Sequence, residues 1–235
     1  MKTGRKIAMW SGPRNLSTAM MYCFGNRGDL QVWDEPFYAA YLAATGLDHP
    51  MREDVIADGL CDANDVAERI VGIGEGVFLK LMSFHMLDGF PLKWAKDFTQ
   101  IHLLRHPARV IASYAAKREA PTLADVGFDE QLALFQRFPG PVIGAEDVRA
   151  NPHAMIRRLC AVIDLPWDAG MLSWPAGPKP FDGIWARHWY DAVHRSTGFA
   201  GPEEAMPELS GDLARLCDAA LPAYEALARE KLRTL

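Results

Sequence analysis

The chain has 235 residues, 49% of them apolar and 23% charged, enough to bury one sizeable core as a single domain spanning 1–235. Lys and Arg number 25 against 30 Asp and Glu, a net charge of -5 with a pI near 5.8, which argues against a nucleic-acid partner and against general affinity for anionic membranes. Cys23, Cys61, Cys160 and Cys217 lie far apart with no C-x-x-C pair, so neither a zinc site nor a disulfide framework is expected and a cytoplasmic setting fits.

The start, Met1 to Lys6, is basic, but the apolar run behind it is too short for a secretory leader. No run approaches the roughly 18 apolar residues of a membrane helix. Lys6 to Trp10 reads as a strand, broken by Ser11-Gly12-Pro13 and followed by a helix from about Ser17 to Phe24. A strand, a tight loop and a helix in that order aim free backbone N–H groups and a positive helix end at an anion. The cation there is Arg14, three residues before Ser17, and no Gly-Lys-Ser/Thr triplet closes the loop. The triphosphate-binding pattern is therefore not met, which disfavours an ATP-dependent phosphotransferase.

A short strand, Leu30 to Trp33, ends in Asp34-Glu35-Pro36, and helical stretches follow at Tyr38 to Thr45, Met51 to Leu60 and Asp65 to Ile70. Gly76 to Met82 reads as a buried strand, and Gln100 to Arg105 as another whose end is marked by His106-Pro107. Pro107 suits the first turn of a helix with Val110, Ile111 and Tyr114 on its apolar face. A strand at Pro141 to Ala145, a helix at Ala154 to Ile163 and a last helix from about Pro207 to Arg233 complete the chain. Strands alternating with helices imply an α/β fold, a three-layer sandwich around a mostly parallel sheet with helical insertions. The least regular stretch, Leu165 to Pro207, is rich in Pro, Gly and Trp and reads as a packed loop or a lid on the acceptor side.

Arg105 leaves a strand end, and Ser113 stands about two turns into the next helix. A guanidinium and a hydroxyl can thus converge on a second anion in the crevice at the strand carboxyl ends. Pro13-Arg14-Asn15-Leu16-Ser17-Thr18 resembles the 5'-phosphosulfate loop of sulfotransferases that use 3'-phosphoadenosine 5'-phosphosulfate (PAPS). Arg105 to Ser113 resembles their 3'-phosphate motif, an arginine at a strand end followed eight positions later by a helical serine. The likeness takes in the strand order and the Asp34-Glu35-Pro36 corner and spans about Lys6 to Lys117.

This resemblance implies an enzyme that moves a sulfuryl group from PAPS to a hydroxyl or amine of a small-molecule acceptor, leaves adenosine 3',5'-bisphosphate (PAP), and needs no metal. Arg14 would stand on the phosphosulfate bridge in the place of the family's lysine, a planar fork instead of a mobile point charge. Asn15, Leu16, Ser17 and Thr18 would give donors to the 5' group, with Leu16 where the cytosolic enzymes have glycine. Arg105 and Ser113 would hold the 3'-phosphate. Glu35 is the first candidate for the base that deprotonates the acceptor. His85 is the second, five positions after Lys80, where the cytosolic enzymes place a histidine two after a lysine. Lys179, with Arg187 and Arg195, could close over the nucleotide as a basic loop does in the family. The alternative of a different class is a catalytically silent nucleotide-binding or scaffolding module on the same fold.

Overall fold

The strand Lys6–Ser11 (β1) sends Ile7 and Met9 into one apolar layer and Ala8 and Trp10 into another, and all four are buried. Alternate residues of a strand face opposite sides, so burial on both marks a strand covered above and below. The computed structural model describes residues 4–74, 76–116 and 120–233 and places β1 in the middle of a five-stranded sheet. Its other strands are Gln31–Asp34 (β2), Val77–Met82 (β3), Thr99–Leu104 (β4) and Val142–Gly144 (β5). They run in the order β2-β3-β1-β4-β5, and every pairing is parallel. Ser11 lies opposite Met82 and Leu103, and Asp34 opposite Lys80, so the strands finish along one edge. From β1 the chain builds β2 and β3 on one side and then crosses to β4 and β5 on the other, and ligands of such sheets bind where that reversal opens a crevice.

In chain order the α-helices are Ser17–Gly25 (α1), Tyr38–Thr45 (α2), Arg52–Asp58 (α3), Ala63–Gly72 (α4), Pro107–Ala115 (α5), Leu123–Val126 (α6), Phe128–Arg137 (α7), Ala145–Ala150 (α8), Pro152–Val162 (α9), Ala186–Trp189 (α10), Asp191–His194 (α11) and Gly211–Ala228 (α12). One face of the sheet is covered by α1, α2 and α9 together with Trp174, Trp185 and Tyr190. Phe24 of α1 stacks on Phe78 of β3 there at 4.3 Å. The opposite face is covered by α4 and the 3-10 turn Lys93–Asp97, where Trp10 stacks on Trp94 and donates its indole N–H to Gln100 Oε1 at 2.7 Å. A third apolar cluster joins α5, α6 and α12 beside β4 and β5.

Several boundaries differ from the sequence reading for local reasons. The strand expected from Pro141 shortens to β5 because Ala145 already opens α8. α9 starts early, at Pro152, where Asn151 Oδ1 accepts from the Ala154 N–H at 3.1 Å and Pro occupies the first helical position. The final helix is shorter than Pro207 to Arg233. Residues before Gly211 are held by arginines in a non-helical strap, and after Arg229 the Leu232 N–H turns to the Val142 carbonyl at 2.8 Å. α6 and α7 were not expected; a Thr122–Asp125 capping box starts the first of them. The stretch read as irregular holds α10 and α11. Lys117, the far end of the resemblance, lies outside the described residues.

Candidate functional site

The loop after β1 reaches α1 through two left-handed residues, Arg14 (φ 55) and Leu16 (φ 60). Neither is glycine, so the conformation is strained and must be held from outside. Two bonds hold it. Asn15 Nδ2 donates to the Leu103 carbonyl at 2.6 Å, and Arg105 Nη1 donates to the Arg14 carbonyl at 2.7 Å. Gly12 gives the loop its close approach, since a Cβ there would meet the Val126 carbonyl at 2.8 Å. Ser17 and Thr18 stand at the N-terminus of α1 on the wall of a cavity of about 360 Å³, with Arg14 and Leu16 beside them.

Arg14 Nε donates to Ser113 Oγ at 2.9 Å, across 99 positions of sequence. Arg14, Arg105 and Ser113 thus meet at one end of the cavity. Burial and then the nearby Arg105 charge lower the pKa of Arg14. Two half-buried guanidiniums brought together in this way favour an anion between them.

At the other end lies a buried charge cluster. Lys80 stands in an otherwise apolar strand and donates from Nζ to Asp34 Oδ1 (2.9 Å), to Glu35 Oε1 and to the Tyr190 hydroxyl (2.8 Å). Tyr190 in turn donates to Asp34 Oδ2 at 2.7 Å and accepts from Trp185 Nε1 at 3.2 Å. Burial disfavours the charged ammonium, but Asp34 and Glu35 outweigh it and raise the Lys80 pKa. Burial, with Asp34 nearby, raises that of Glu35 although Lys80 opposes it. Glu35 is 11% exposed and has left-handed backbone (φ 40); its Oε1 takes the Lys80 contact and its Oε2 lies 4.0 Å from His85 Nδ1.

His85 ends the 3-10 turn Ser83–His85 and lies between the Tyr38 and Tyr41 rings, each 4.7 Å away. Its Nδ1 is buried without a hydrogen-bond partner among the described residues. Burial, with His49 and Lys80, holds its pKa well below the usual imidazole range, so the ring is neutral. Tyr38, Phe84 and Trp185 give this part of the cavity apolar walls, and Trp189 and Val193 also line it.

The sequence candidates Arg14, Leu16, Ser17, Thr18, Glu35, His85, Arg105 and Ser113 all line this one cavity. Asn15 lines it too, but its side-chain amide is engaged with β4. Lys179 does not come to it: Nζ bonds the Gly177 carbonyl at 3.2 Å and lies over the Tyr22 ring. Arg187 pairs with Asp54 on the surface, and Arg195 is exposed. Sequence reasoning missed Asp34, Lys80 and Tyr190 as one network. The signal was a lone lysine inside Val77-Phe78-Leu79-Lys80-Leu81-Met82, because a fully buried ammonium needs a carboxylate partner.

Among the described residues no group of three or more His, Cys, Asp or Glu is placed to hold a metal ion, and no helix is long and apolar enough to cross a membrane. The sequence model of the family described as Sulfotransferase domain matches residues 5–231. Two Arabidopsis thaliana proteins, branched-chain-amino-acid aminotransferase-like proteins 2 and 1, are each 34% identical over 94% of this chain. The chain spans 41% of the length of each of them. In structure, the sulfotransferase domain of the Synechococcus PCC 7002 olefin synthase aligns over 93% of this chain and 95% of its own, with a TM-score of 0.51 at 16% identity. That likeness concerns the fold.

Proposed function

The chain belongs to the sulfotransferase-domain family, and we propose that it transfers a sulfuryl group from PAPS to a hydroxyl or amine of a small acceptor. The observation that carries this reading is the meeting of Arg14, Arg105 and Ser113, drawn from separate parts of the chain, at one end of a cavity whose other end holds Glu35 and His85. The donor set suits an anionic nucleotide, with two guanidiniums, a hydroxyl and the N-terminus of a nine-residue helix. Arg14, Ser17 and Thr18 would hold the 5' phosphosulfate, and Arg105 and Ser113 the 3'-phosphate. PAPS supplies an activated sulfuryl group whose in-line transfer is mainly a matter of positioning and charge stabilisation.

The protein's own part is to orient and deprotonate the acceptor. Glu35 Oε1 is held by Lys80, so Oε2 is the oxygen left to take the acceptor proton. Neutral His85, 4.0 Å away, can bond the same hydroxyl or amine through Nδ1. Aromatic side chains line the cavity beside the reacting groups and would shield them once an acceptor is bound.

A thermal-shift comparison of PAP, PAPS, 5'-AMP, ATP with magnesium and a blank tests the ligand class. A ligand that binds the native state raises apparent stability by mass action. PAP and PAPS are expected to raise Tm more than AMP. A larger shift with magnesium ATP would favour a phosphotransferase, and PAP binding without transfer from PAPS to a broad panel of alcohols and amines would favour a silent module.

A further inference from the structure

A strap at 198–204 starts on the cavity wall, with Gly198 and Ala200, and ends at a carboxylate held by three arginines. Glu203 Oε1 accepts from Arg105 Nε at 2.9 Å, and lies 2.7 Å from Arg105 Nη2 and 3.0 Å from Arg149 Nη1. Its Oε2 lies 2.7 Å from Arg109 Nε. The same arginines hold the strap's backbone: Arg149 Nε donates to the Gly201 carbonyl at 2.8 Å, and Arg109 Nη2 to the Glu204 carbonyl at 2.6 Å. The Glu203 side chain is only 4% exposed. An acid so deeply enclosed by guanidiniums drawn from the end of β4, from α5 and from α8 is a built feature, unlike a surface ion pair.

Of the three arginines, Arg105 lines the cavity, whereas Glu203 is not on its wall. A guanidinium carries five N–H donors in a fixed plane. Glu203 Oε1 takes the Nε donor and lies 2.7 Å from Nη2, and the Arg14 carbonyl takes one donor of Nη1. At least one donor then remains on each terminal nitrogen. The Nε edge is pinned, so the plane in which those donors lie is fixed.

We propose that Glu203 is a positioning residue for the 3'-phosphate site: it locks the Arg105 guanidinium in the plane that meets the ligand and couples the strap to nucleotide binding. This rests on the bisphosphate reading above. The opposite relation, in which the carboxylate competes with the ligand for Arg105, predicts an effect of opposite sign.

Calorimetric titration of PAP and 5'-AMP into wild type, Glu203→Gln and Glu203→Asp separates these cases. If wild type does not prefer PAP over AMP, the bisphosphate reading itself fails. Given that preference, Glu203→Gln is expected to weaken PAP about tenfold and leave AMP within about twofold, the size of one charge-assisted contact. Glu203→Asp, which keeps the charge, is expected to retain more of the preference than glutamine. An unchanged preference in Glu203→Gln, tighter PAP binding, an equal loss for both nucleotides, or an aspartate variant no better than the glutamine one would each overturn the inference.

Discussion

At the residue scale the decisive group is Lys80. It is 1% exposed and holds two carboxylates and a phenol, so its charge offsets the cost of enclosing Asp34 and Glu35 in the interior. Removing one partner of a buried ionic cluster strands the others. Lys80→Met is therefore expected to lower stability by about 3 to 5 kcal/mol, read by urea unfolding, and an unaltered midpoint would contradict this role. Glu35 must be deprotonated to act as a base, and burial raises its pKa. The rate should accordingly fall as pH drops, at a pH above that of an ordinary glutamate. Glu35→Gln should keep PAP binding, lose roughly 10²- to 10⁴-fold in turnover and abolish that acid limb. A limb that persists in this variant would assign the base elsewhere. His85, held neutral with a pKa well below the usual range, does not predict a limb near the ordinary imidazole value.

Among the elements, the unit of β1, loop and α1 was legible because a buried apolar run, Ser-Gly-Pro and a helical run are strong local signals. The left-handed backbone at Arg14 and Leu16 was not, since it depends on bonds from Asn15 to β4 and from Arg105 to the Arg14 carbonyl. Each such residue costs on the order of 1 kcal/mol, so the loop keeps its shape only while its neighbours hold it. Gly12 packs against the Val126 carbonyl, so Gly12→Ala must displace backbone. Lower Tm and weaker binding of both PAP and AMP are expected, because the 5' end of the site moves. Wild-type affinity for both would show that the loop shape does not matter. The chemistry of residues 165–207 was hidden for a different reason. Tyr190 reaches Asp34 across 156 positions, and nothing in the local pattern of Trp, Pro and Gly separates such an anchor from ordinary packing.

On the scale of the whole molecule, alternation of strands and helices was enough to give a parallel α/β sheet, and the strand-end motifs converge because the strands finish on one edge. What local reasoning could not reach is the closure of that edge by the C-terminal third, through Tyr190 on Lys80 and Glu203 on Arg105. The interior also leaves a pH signature. His102 is buried in β4 with Nε2 3.0 Å from the Phe138 carbonyl, and burial lowers its pKa from 6.5 to about 4. A group with a depressed folded pKa contributes stability that is present above the unfolded value and lost as pH falls toward the folded one. His102 thus removes about 3 kcal/mol between pH 6.5 and 4, and His85 acts in the same direction. His102→Gln should flatten part of the Tm decline over that window, and an unchanged slope would show that the imidazole does not titrate there.

The most direct test of the nucleotide site is calorimetric titration of PAP and 5'-AMP into wild type and Arg105→Ala. If Arg105 holds a 3'-phosphate, the variant loses about tenfold or more in affinity for PAP while AMP binding barely changes. Equal losses for the two nucleotides, or no loss for either, would contradict it.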